Sequence, residues 1–530
     1  MAFAIQGVYD ASMIKLRAFT LAVWILTGCN LVRGEVANQW PTATTARSAP
    51  VTPVVTVDRA LHPVASLEST LVFSSDCPQR TNGSLTRHIV DAEIDYAART
   101  VSVRQSVHYT NRTGERLLQL VLNVEPNHWP DAFTLKTLSQ RGEPLAYELT
   151  GRRLVVTLPK PLPSGCAVDF DLGFQIAVPP IGQGIESFRG FFGHTPRQLN
   201  LGHWLPSVAS YQNGDWITRE ARFIGEQIVL EEANWDVTVQ VVAAPDNIQV
   251  IGPGVMVRLA DDRWQFAHSQ ARDFTLSLSD AFTEVSQETE SGVIVELYTF
   301  DDAQIEIEGR VVDTASVALE VATNSLSMFA DLFGPYRYER LVVIQGDFPD
   351  GMEFSGLVFV SGDWFRLYPG GPASFLTIIT AHEVAHQWWY ARVGNDPAFT
   401  PWLDEALATY SEYIYIEEYY PQLKDWWWEF RVDRLTPQGF VDSTVYDFDT
   451  IRDYINAVYL RGGQMLHAVR QDIGTDAFFD LLYRYAQAGD GRVATPDLFW
   501  SRLTPEQIMS TQGTREQYLR EPDIVPGDGP

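Results

Sequence analysis

The sequence has little cysteine and few basic residues for its length, and both shortages exclude classes of function. Its 3 cysteines, Cys29, Cys77 and Cys166, are too far apart for a zinc–thiolate spacing, so a metal ion has to be sought among histidines and carboxylates. Aspartate and glutamate number 67 against 39 lysines and arginines, and the net charge of −28 repels nucleic acid phosphates and anionic membrane surfaces. We therefore expect no nucleic acid partner.

The N-terminus has no apolar run long enough to span a bilayer, but it has the pattern of an export signal. Lys15 and Arg17 precede the short apolar run AFTLAVWILTGC. Its last four residues, LTGC, resemble the bacterial lipobox, in which the cysteine is lipidated and becomes the first residue of the mature chain. We expect residues 1–29 to be a lipoprotein signal peptide and the exported protein to be anchored to a membrane through Cys29. An ordinary signal peptide or an uncleaved anchor is the alternative.

Export has a consequence for the other two cysteines. Disulfides persist outside the cytoplasm, so Cys77 and Cys166 can form a single bridge there. The sequence alone does not show that the two residues meet.

The length of 530 residues predicts two or three domains. Residues 30–85 are rich in threonine, alanine, proline and valine, as in PTATTARSAPVTPVVTV, which predicts a flexible tether. Residues 86–288 carry strand signals, residues 289–520 are largely helical, and residues 521–530 form a tail. We therefore expect an α+β protein in which a mostly antiparallel β domain precedes a helical domain.

Individual segments carry these signals. In RTVSVRQSVHYTN, the side chains of Val101, Val103, Gln105, Val107 and Tyr109 alternate onto one face of a strand. The segment ASVALEVATNSLSMFADLFG instead has apolar residues at three- and four-residue steps and ends in glycine, which predicts a helix.

Two histidines and two glutamates form the clearest chemical pattern in the chain. No proline or glycine occurs between residues 374 and 390, so one helix can run through this segment and place His382 and His386 on one face. Two imidazoles one turn apart can bind one zinc ion, and Glu383 beside the first can act on a water molecule. Glu405, in WLDEALATYSE, begins a second predicted helix and completes a His, His, Glu ligand set with an open fourth position.

These residues resemble the gluzincin aminopeptidases, a family that includes aminopeptidase N and leukotriene A4 hydrolase. The family pattern is HExxH followed after 18 residues by glutamate, and it is matched by HEVAHQW and WLDEA. The usual Asn-Glu-Gly is replaced here by Asp404, Glu405 and Ala406. The resemblance covers about residues 88–505. It implies an N-terminal β saddle, a thermolysin-like catalytic domain and one zinc ion per chain.

The resemblance also implies roles for two further residues. DGMEFSG is similar to the family's Gly-x-Met-Glu-Asn strand, which implies that Glu353 binds the free α-amine of the substrate. AVYLRGGQML is similar to the segment that carries the oxyanion-binding tyrosine, which implies this role for Tyr459. Asp350 and Phe354 depart from the motif, since the family has glycine and asparagine there.

Together these features predict a zinc aminopeptidase that hydrolyses N-terminal residues from peptides with a metal-activated water. Glu383 would be general base and then general acid, and Tyr459 would stabilise the oxyanion. The expected partners are peptides with a free N-terminus. Two alternatives stay open at this point: a zinc endopeptidase with the same metal centre, and a non-catalytic surface binding protein on the same fold. The sequence does not indicate an oligomeric state.

Overall fold

The N-terminal region is built from strands whose side chains alternate between buried and exposed. In a computed structural model, which describes residues 84–182, 189–259 and 262–523, Val101, Val103, Val107 and Tyr109 are all buried on one strand, as the alternation predicts. The strands are β1 (Thr86–Asp95), β2 (Thr100–Thr110), β3 (Leu117–Asn123), β4 (Phe133–Gln140), β5 (Glu143–Pro144), β6 (Tyr147–Thr150), β7 (Arg153–Leu162), β8 (Ala167–Ala177), β9 (Phe192–His194), β10 (Leu199–Leu201), β11 (Ser207–Val208), β12 (Tyr211–Gln212), β13 (Asp215–Trp216), β14 (Ala233–Val242), β15 (Gln249–Ile251), β16 (Val255–Arg258), β17 (Arg263–Ala271) and β18 (Leu276–Ser279).

These strands form one large sheet and several small ones. The large sheet has eight strands in the order β16-β17-β14-β1-β2-β8-β4-β5, and two four-stranded sheets have the orders β15-β18-β10-β9 and β11-β3-β7-β6. All neighbours in the large sheet are antiparallel except β1 and β14, which are parallel. The expectation of a mostly antiparallel β region is confirmed.

The second region combines a five-stranded sheet with helices. Its strands are β19 (Thr283–Glu288), β20 (Ile294–Thr299), β21 (Gln304–Ile307), β22 (Arg310–Asp313), β23 (Arg340–Gly346), β24 (Met352–Phe354) and β25 (Leu357–Ser361). Its helices are α1 (Thr314–Phe333), α2 (Gly362–Arg366), α3 (Phe375–Ala385), α4 (Glu405–Tyr419), α5 (Lys424–Trp427), α6 (Ile451–Tyr454), α7 (Arg461–Ile473), α8 (Thr475–Ala488), α9 (Pro496–Trp500), α10 (Pro505–Ser510) and α11 (Gln512–Tyr518). The sheet order is β19-β20-β23-β25-β24, and β21 pairs with β22.

The five-stranded sheet lies between two hydrophobic cores. Leu341 and Val343 of β23 pack with the helices, whereas Val342 and Ile344 between them pack with the β region. Strand β24 follows the same rule, since Met352 and Phe354 join the core of the β region. Successive side chains of a strand point to opposite faces, so the residue between them, Glu353, points toward the helices.

Several predictions fall outside the described residues. These are the signal peptide, nearly all of the tether, Cys29 and Cys77. Cys166 is buried and disulfide-bonded; its pairing with Cys77 stays a prediction, as do the domain limits. Within residues 84–182, 189–259 and 262–523, no helix has the length and apolar character needed to cross a membrane.

Candidate active site and metal centre

The two predicted metal-binding histidines lie at the C-terminal end of α3. Ser374 caps the start of this helix, because its hydroxyl oxygen accepts a hydrogen bond from the Thr377 backbone nitrogen at 3.2 Å. His382 lies in the last turn and His386 is the C-cap residue, so the two rings remain on one side, with centroids 4.8 Å apart. Both side chains are buried.

The helix ends earlier than the sequence predicts. A continuous helix through residues 374–390 is wrong: α3 ends at Ala385, a π-helical segment follows, and the backbone of Trp389 is not helical. The cause is tertiary contact. Trp388 donates its indole N–H to the Gly334 carbonyl at 2.8 Å, and the turned backbone brings the Trp389 carbonyl within 3.0 Å of His386 Nδ1.

Glu405 reaches the histidines from the neighbouring helix. Asp404 caps α4 by accepting a hydrogen bond from the Glu405 backbone nitrogen at 2.7 Å, so the helix begins where the sequence predicts. Glu405 Oε2 lies 3.4 Å from His382 Nε2 and 3.6 Å from His386 Nε2. One ligand atom from each of the three residues therefore converges on a single point, and all three side chains are buried.

The second nitrogen of each imidazole is already held by an acceptor. His386 Nδ1 donates to the Trp389 carbonyl, and His382 Nδ1 donates to Glu412 Oε1 at 2.9 Å. When each ring is neutral, its proton lies on Nδ1, and the lone pair of Nε2 is available to a metal ion on the side of Glu405. Both imidazoles are thus oriented as ligands.

Glu412 is a functional residue that the sequence reasoning missed. Its carboxylate is fully buried and is bound by Arg431 through Nε and Nη2, at 2.9 Å each, and by the Trp427 indole N–H at 3.2 Å. It lies two helical turns after Glu405 on α4. That spacing was a usable signal, because a carboxylate on the same helix face as a ligand can orient a histidine.

The charges of the centre favour a bound cation. Burial disfavours the imidazolium form of His382, yet hydrogen bonds to Glu405 and Glu412 raise its pKa to about 10. Burial and the neighbouring His382 lower the pKa of His386 to about 4. Burial acts against the charged form of Glu405, but the hydrogen bond to His382 and the two nearby histidines hold its pKa below its usual value. A positive charge between these groups is stabilised, and a divalent cation supplies it.

The donor set fits zinc. Two imidazole nitrogens and one carboxylate oxygen are the ligands of a catalytic zinc site with an open fourth position. The carboxylate–histidine contact from Glu412 is the outer contact that zinc-binding histidines usually have.

Glu383 lies directly beside this centre. It is buried, and its Oε2 has no hydrogen-bond partner among the described residues. Burial raises the pKa of its carboxyl group well above the ordinary value, and Asp350 and Glu405 add to the effect. A raised pKa suits a group that must both accept and return a proton near neutral pH. Gly351 packs against it so closely that a Cβ atom at position 351 would overlap the Glu383 carboxyl group.

Tyr459 lies next to two of the ligands, His382 and Glu405. It belongs to the segment Ile455–Leu460, which immediately precedes α7. Its ring is parallel to that of His382, with centroids 6.0 Å apart, and its hydroxyl donates a hydrogen bond to Glu405. Burial and Glu405 raise the pKa of this hydroxyl well above its usual value, so it stays protonated and remains a donor.

Glu353 projects from β24 toward the same centre. One carboxylate oxygen of Glu353, one of Glu383 and a ring nitrogen of His386 lie within 4.8 Å of one another. Gln387, just after α3, holds the β24–β25 turn, because its amide donates to the Phe354 carbonyl at 3.0 Å and accepts from Gly356 N at 2.9 Å. The turn thus fixes Glu353 relative to the metal centre.

The β region supplies a second carboxylate near Glu353. Burial raises the pKa of Glu353 well above its ordinary value, and Glu226 makes the largest contribution among the charges that add to it. Glu226 Oε1 lies 3.5 Å from Nε2 of the buried His203, whose ring packs edge-on against Phe354. Sequence reasoning missed both residues, because they lie in irregular segments without a characteristic spacing.

Comparison with known proteins finds relatives of the second region. Residues 317–513 match the peptidase family M1 domain. The chain is 26% identical over 257 residues to Aminopeptidase M1-A of Oryza sativa subsp. japonica, a match that covers 44% of this chain and 29% of that protein. It is 28% identical over 250 residues to human Endoplasmic reticulum aminopeptidase 1, covering 44% and 25%.

The helical region and the β region together have the fold of a solved bacterial structure. The M1 zinc metallopeptidase from Deinococcus radiodurans matches with a TM-score of 0.59 and 18% identity, covering 84% of this chain and 96% of that chain. At this identity the likeness shows the fold, a β region followed by a helical region, as expected. The chain spans less than a third of the length of the two aminopeptidases described above.

Proposed function

We propose that the protein is a zinc-dependent aminopeptidase that removes N-terminal residues from peptides. The observation that carries the proposal is the position of Glu353, which shares one buried centre with His386 and Glu383. A carboxylate at this place can bind only a group that lies within one residue of the bond to be cut. The names of the similar M1 aminopeptidases support the same class of activity.

The residues of the site divide the chemistry among them. Zinc, when bound by His382, His386 and Glu405, lowers the pKa of water in the site toward neutrality and polarises the scissile carbonyl. Glu383 takes a proton from the attacking water and delivers it to the leaving amine. The Tyr459 hydroxyl, which remains protonated, donates a hydrogen bond to the oxyanion of the tetrahedral intermediate.

The amine site rests on two carboxylates from different regions. Glu353 comes from β24, and Glu226 comes from the β region, beside His203. Their mutual repulsion is relieved when a protonated α-amine lies between them, so the free N-terminus of a peptide is bound in preference to a blocked one. Phe354 replaces the family asparagine, but its side chain is packed in the core of the β region and leaves Glu353 free to face the centre.

The two alternatives receive less support. An endopeptidase needs a cleft that continues past the amine position, whereas the interacting carboxylates of Glu353 and Glu226 favour a charged amine there. A non-catalytic binding protein does not need a buried Glu383 carboxylate with an unpartnered oxygen beside three convergent ligands.

Product analysis tests the proposal. A decapeptide incubated with the zinc-loaded protein should lose one residue at a time from its N-terminus, which mass spectrometry records as a ladder. Glu383→Gln should abolish the ladder, whereas the control Glu418→Gln, at an exposed position on α4, should keep it. Internal fragments without the ladder, or an active Glu383→Gln variant, would contradict the proposal.

We further propose that the protein is exported and anchored to a membrane by lipidation of Cys29. The proposal rests on the basic residues, the apolar run and the LTGC sequence at positions 26–29. Expression in a bacterial host with a lipoprotein pathway should place the protein in the membrane fraction, and Cys29→Ser should release it. A variant that stays in the membrane fraction would show that Cys29 is not the anchor.

A further inference from the structure

Asp273 is a buried carboxylate that the proposed chemistry does not use. It lies two residues after the end of β17 in the β region, and it is 3% exposed. Burial raises its pKa to about 6, so the group is mainly ionised at neutral pH. A buried charge is costly unless hydrogen-bond donors surround it, so the groups that bind Asp273 should be ordered together with it.

One oxygen of Asp273 binds the turn that carries Glu353. Its Oδ1 accepts a hydrogen bond from the Ser355 backbone nitrogen at 3.1 Å. Ser355 directly follows β24, in which Glu353 is the middle residue. The Ser355 hydroxyl accepts a hydrogen bond from the Arg272 backbone nitrogen at 3.0 Å, and its carbonyl accepts one from His268 Nε2 at 2.8 Å. The β region thus holds this turn through three consecutive polar groups of one residue.

The other oxygen of Asp273 binds the segment that follows the metal-binding helix. Its Oδ2 accepts a hydrogen bond from the hydroxyl of Tyr390, which lies in the π-helical segment just after His386. Burial raises the pKa of this hydroxyl well above its usual value, so it stays protonated and donates. The neighbouring Arg272 strengthens the contact, because its Nε donates to the Tyr390 carbonyl at 2.6 Å. One carboxylate therefore connects the turn that follows Glu353 with the segment that follows His386.

The distance between these two elements matters for an enzyme that recognises the substrate amine. The amine and the bond to be cut are one residue apart, so the carboxylate that binds the amine must stay at a fixed distance from the metal ligands. A displacement of about 1 Å in such a site can cost 10²-fold in rate. Gln387 links the end of α3 to the β24–β25 turn. Asp273 adds a link from both elements to the β region, which also supplies Glu226.

We propose that Asp273 is a positioning residue that fixes Glu353 relative to the metal-binding histidines and thereby maintains the preference for a free N-terminus. The proposal rests on the aminopeptidase function proposed above. In Asp273→Ala both contacts are lost, so the turn after β24 can shift. We expect kcat/KM for a peptide with a free amine to fall about 10- to 100-fold. The slow hydrolysis of its N-acetylated twin should change little, because that peptide has no charged amine for Glu353 to bind.

The test measures kcat/KM for a short peptide and for its N-acetylated twin, and compares the ratio of the two between zinc-loaded variants. The ratio should fall in Asp273→Ala while the zinc content stays at one ion per chain, since the ligands and their partners are unchanged. Asp273→Asn should recover most of the ratio, because the amide can accept from Ser355 N and donate to the Tyr390 hydroxyl oxygen. Tyr390→Phe removes the second contact alone and should lower the ratio about threefold to tenfold.

A matched control separates positioning from a general loss of stability. Asn111 is fully buried in the β region, and its Nδ2 donates to the Glu115 carbonyl at 2.8 Å and the Leu162 carbonyl at 2.9 Å. Asn111→Ala therefore also removes two hydrogen bonds of a buried side chain. It should lower the midpoint of thermal unfolding and keep the wild-type ratio of kcat/KM.

The outcomes distinguish this inference from the proposed function. A wild-type ratio in Asp273→Ala overturns the role of Asp273 and leaves the aminopeptidase function intact. An equal fall of the ratio in Asn111→Ala also overturns that role, because loss of stability then explains the effect. If Asp273→Ala does not fold, Tyr390→Phe decides, and an unchanged ratio in that variant overturns the inference. Equal rates on the two peptides in the wild type overturn the proposed function and the inference with it.

Discussion

Glu412 is a residue whose change should weaken zinc binding without removing a ligand. In Glu412→Gln, His382 loses its carboxylate partner and Arg431 is left without its own. Loss of such an outer contact typically lowers metal affinity about 10- to 100-fold. Competition with a chromophoric chelator should measure this, and Glu418→Gln on the same helix should bind zinc like the wild type. An unchanged affinity in Glu412→Gln would show that the contact does not orient His382.

The proposed role of Tyr459 can be tested by removing one atom, its hydroxyl oxygen. Removing its hydroxyl in Tyr459→Phe deletes one oxyanion donor and leaves the ring against His382. We expect kcat to fall about 10²- to 10³-fold with little change in KM. Steady-state kinetics of this variant and of the exposed control Tyr483→Phe would decide the point. A Tyr459→Phe enzyme with wild-type kcat would exclude the tyrosine from the chemistry.

At the scale of elements, the segment just before β24 lies close to α3, because Gly351 packs against Glu383. A substitution at Gly351 can disturb this contact. In Gly351→Ala, the new Cβ meets the Glu383 carboxyl group, so the general base must shift. Displacement of a catalytic group by about 1 Å can cost 10²-fold in rate. Activity should fall by this order while the unfolding midpoint changes little. Gly371→Ala, where a Cβ meets nothing within 4 Å, is the matched control and should stay active.

The elements also show how far the sequence could predict the structure. The alternation of β2, the glycine end of α1 and the start of α4 at Asp404 were all predictable, because each depends on local periodicity or capping. The end of α3 at Ala385 was not, because it is set by the contact of Trp388 with Gly334, a distant residue.

The candidate site divides in the same way. The spacing of His382, His386 and Glu405 was enough to bring these residues together, because two helices determine their geometry. Glu226 and His203 could not be found, since their position near Glu353 depends on how the irregular segments of the β region pack against β24.

At the scale of the whole molecule, buried histidines should make stability depend on pH. Burial lowers the pKa of His88 to about 3 and that of His268 to about 4, from an ordinary value of 6.5. Between pH 6.5 and the pKa of each folded histidine, the unfolded chain binds more protons than the folded one. The free energy of unfolding therefore falls as the pH falls below 6.5. Each group contributes about 1.4 kcal/mol per pH unit in this range.

Urea unfolding at about pH 7 and about pH 5 measures this dependence. His88, which stacks on Trp235 with centroids 4.1 Å apart, can be replaced by glutamine. His88→Gln shares the metal centre with the wild type, so a smaller loss of stability between the two pH values isolates the contribution of His88. The same loss in both proteins would contradict it.

The central claim is that the protein recognises a free N-terminus at a zinc centre, and one comparison tests it most directly. A short peptide and its N-acetylated twin should be offered to the same zinc-loaded preparation, and kcat/KM measured for both. Acetylation removes the charge that Glu353 and Glu226 bind, so we expect the acetylated peptide to be hydrolysed at least about 100-fold more slowly. Equal rates on the two peptides would contradict the account.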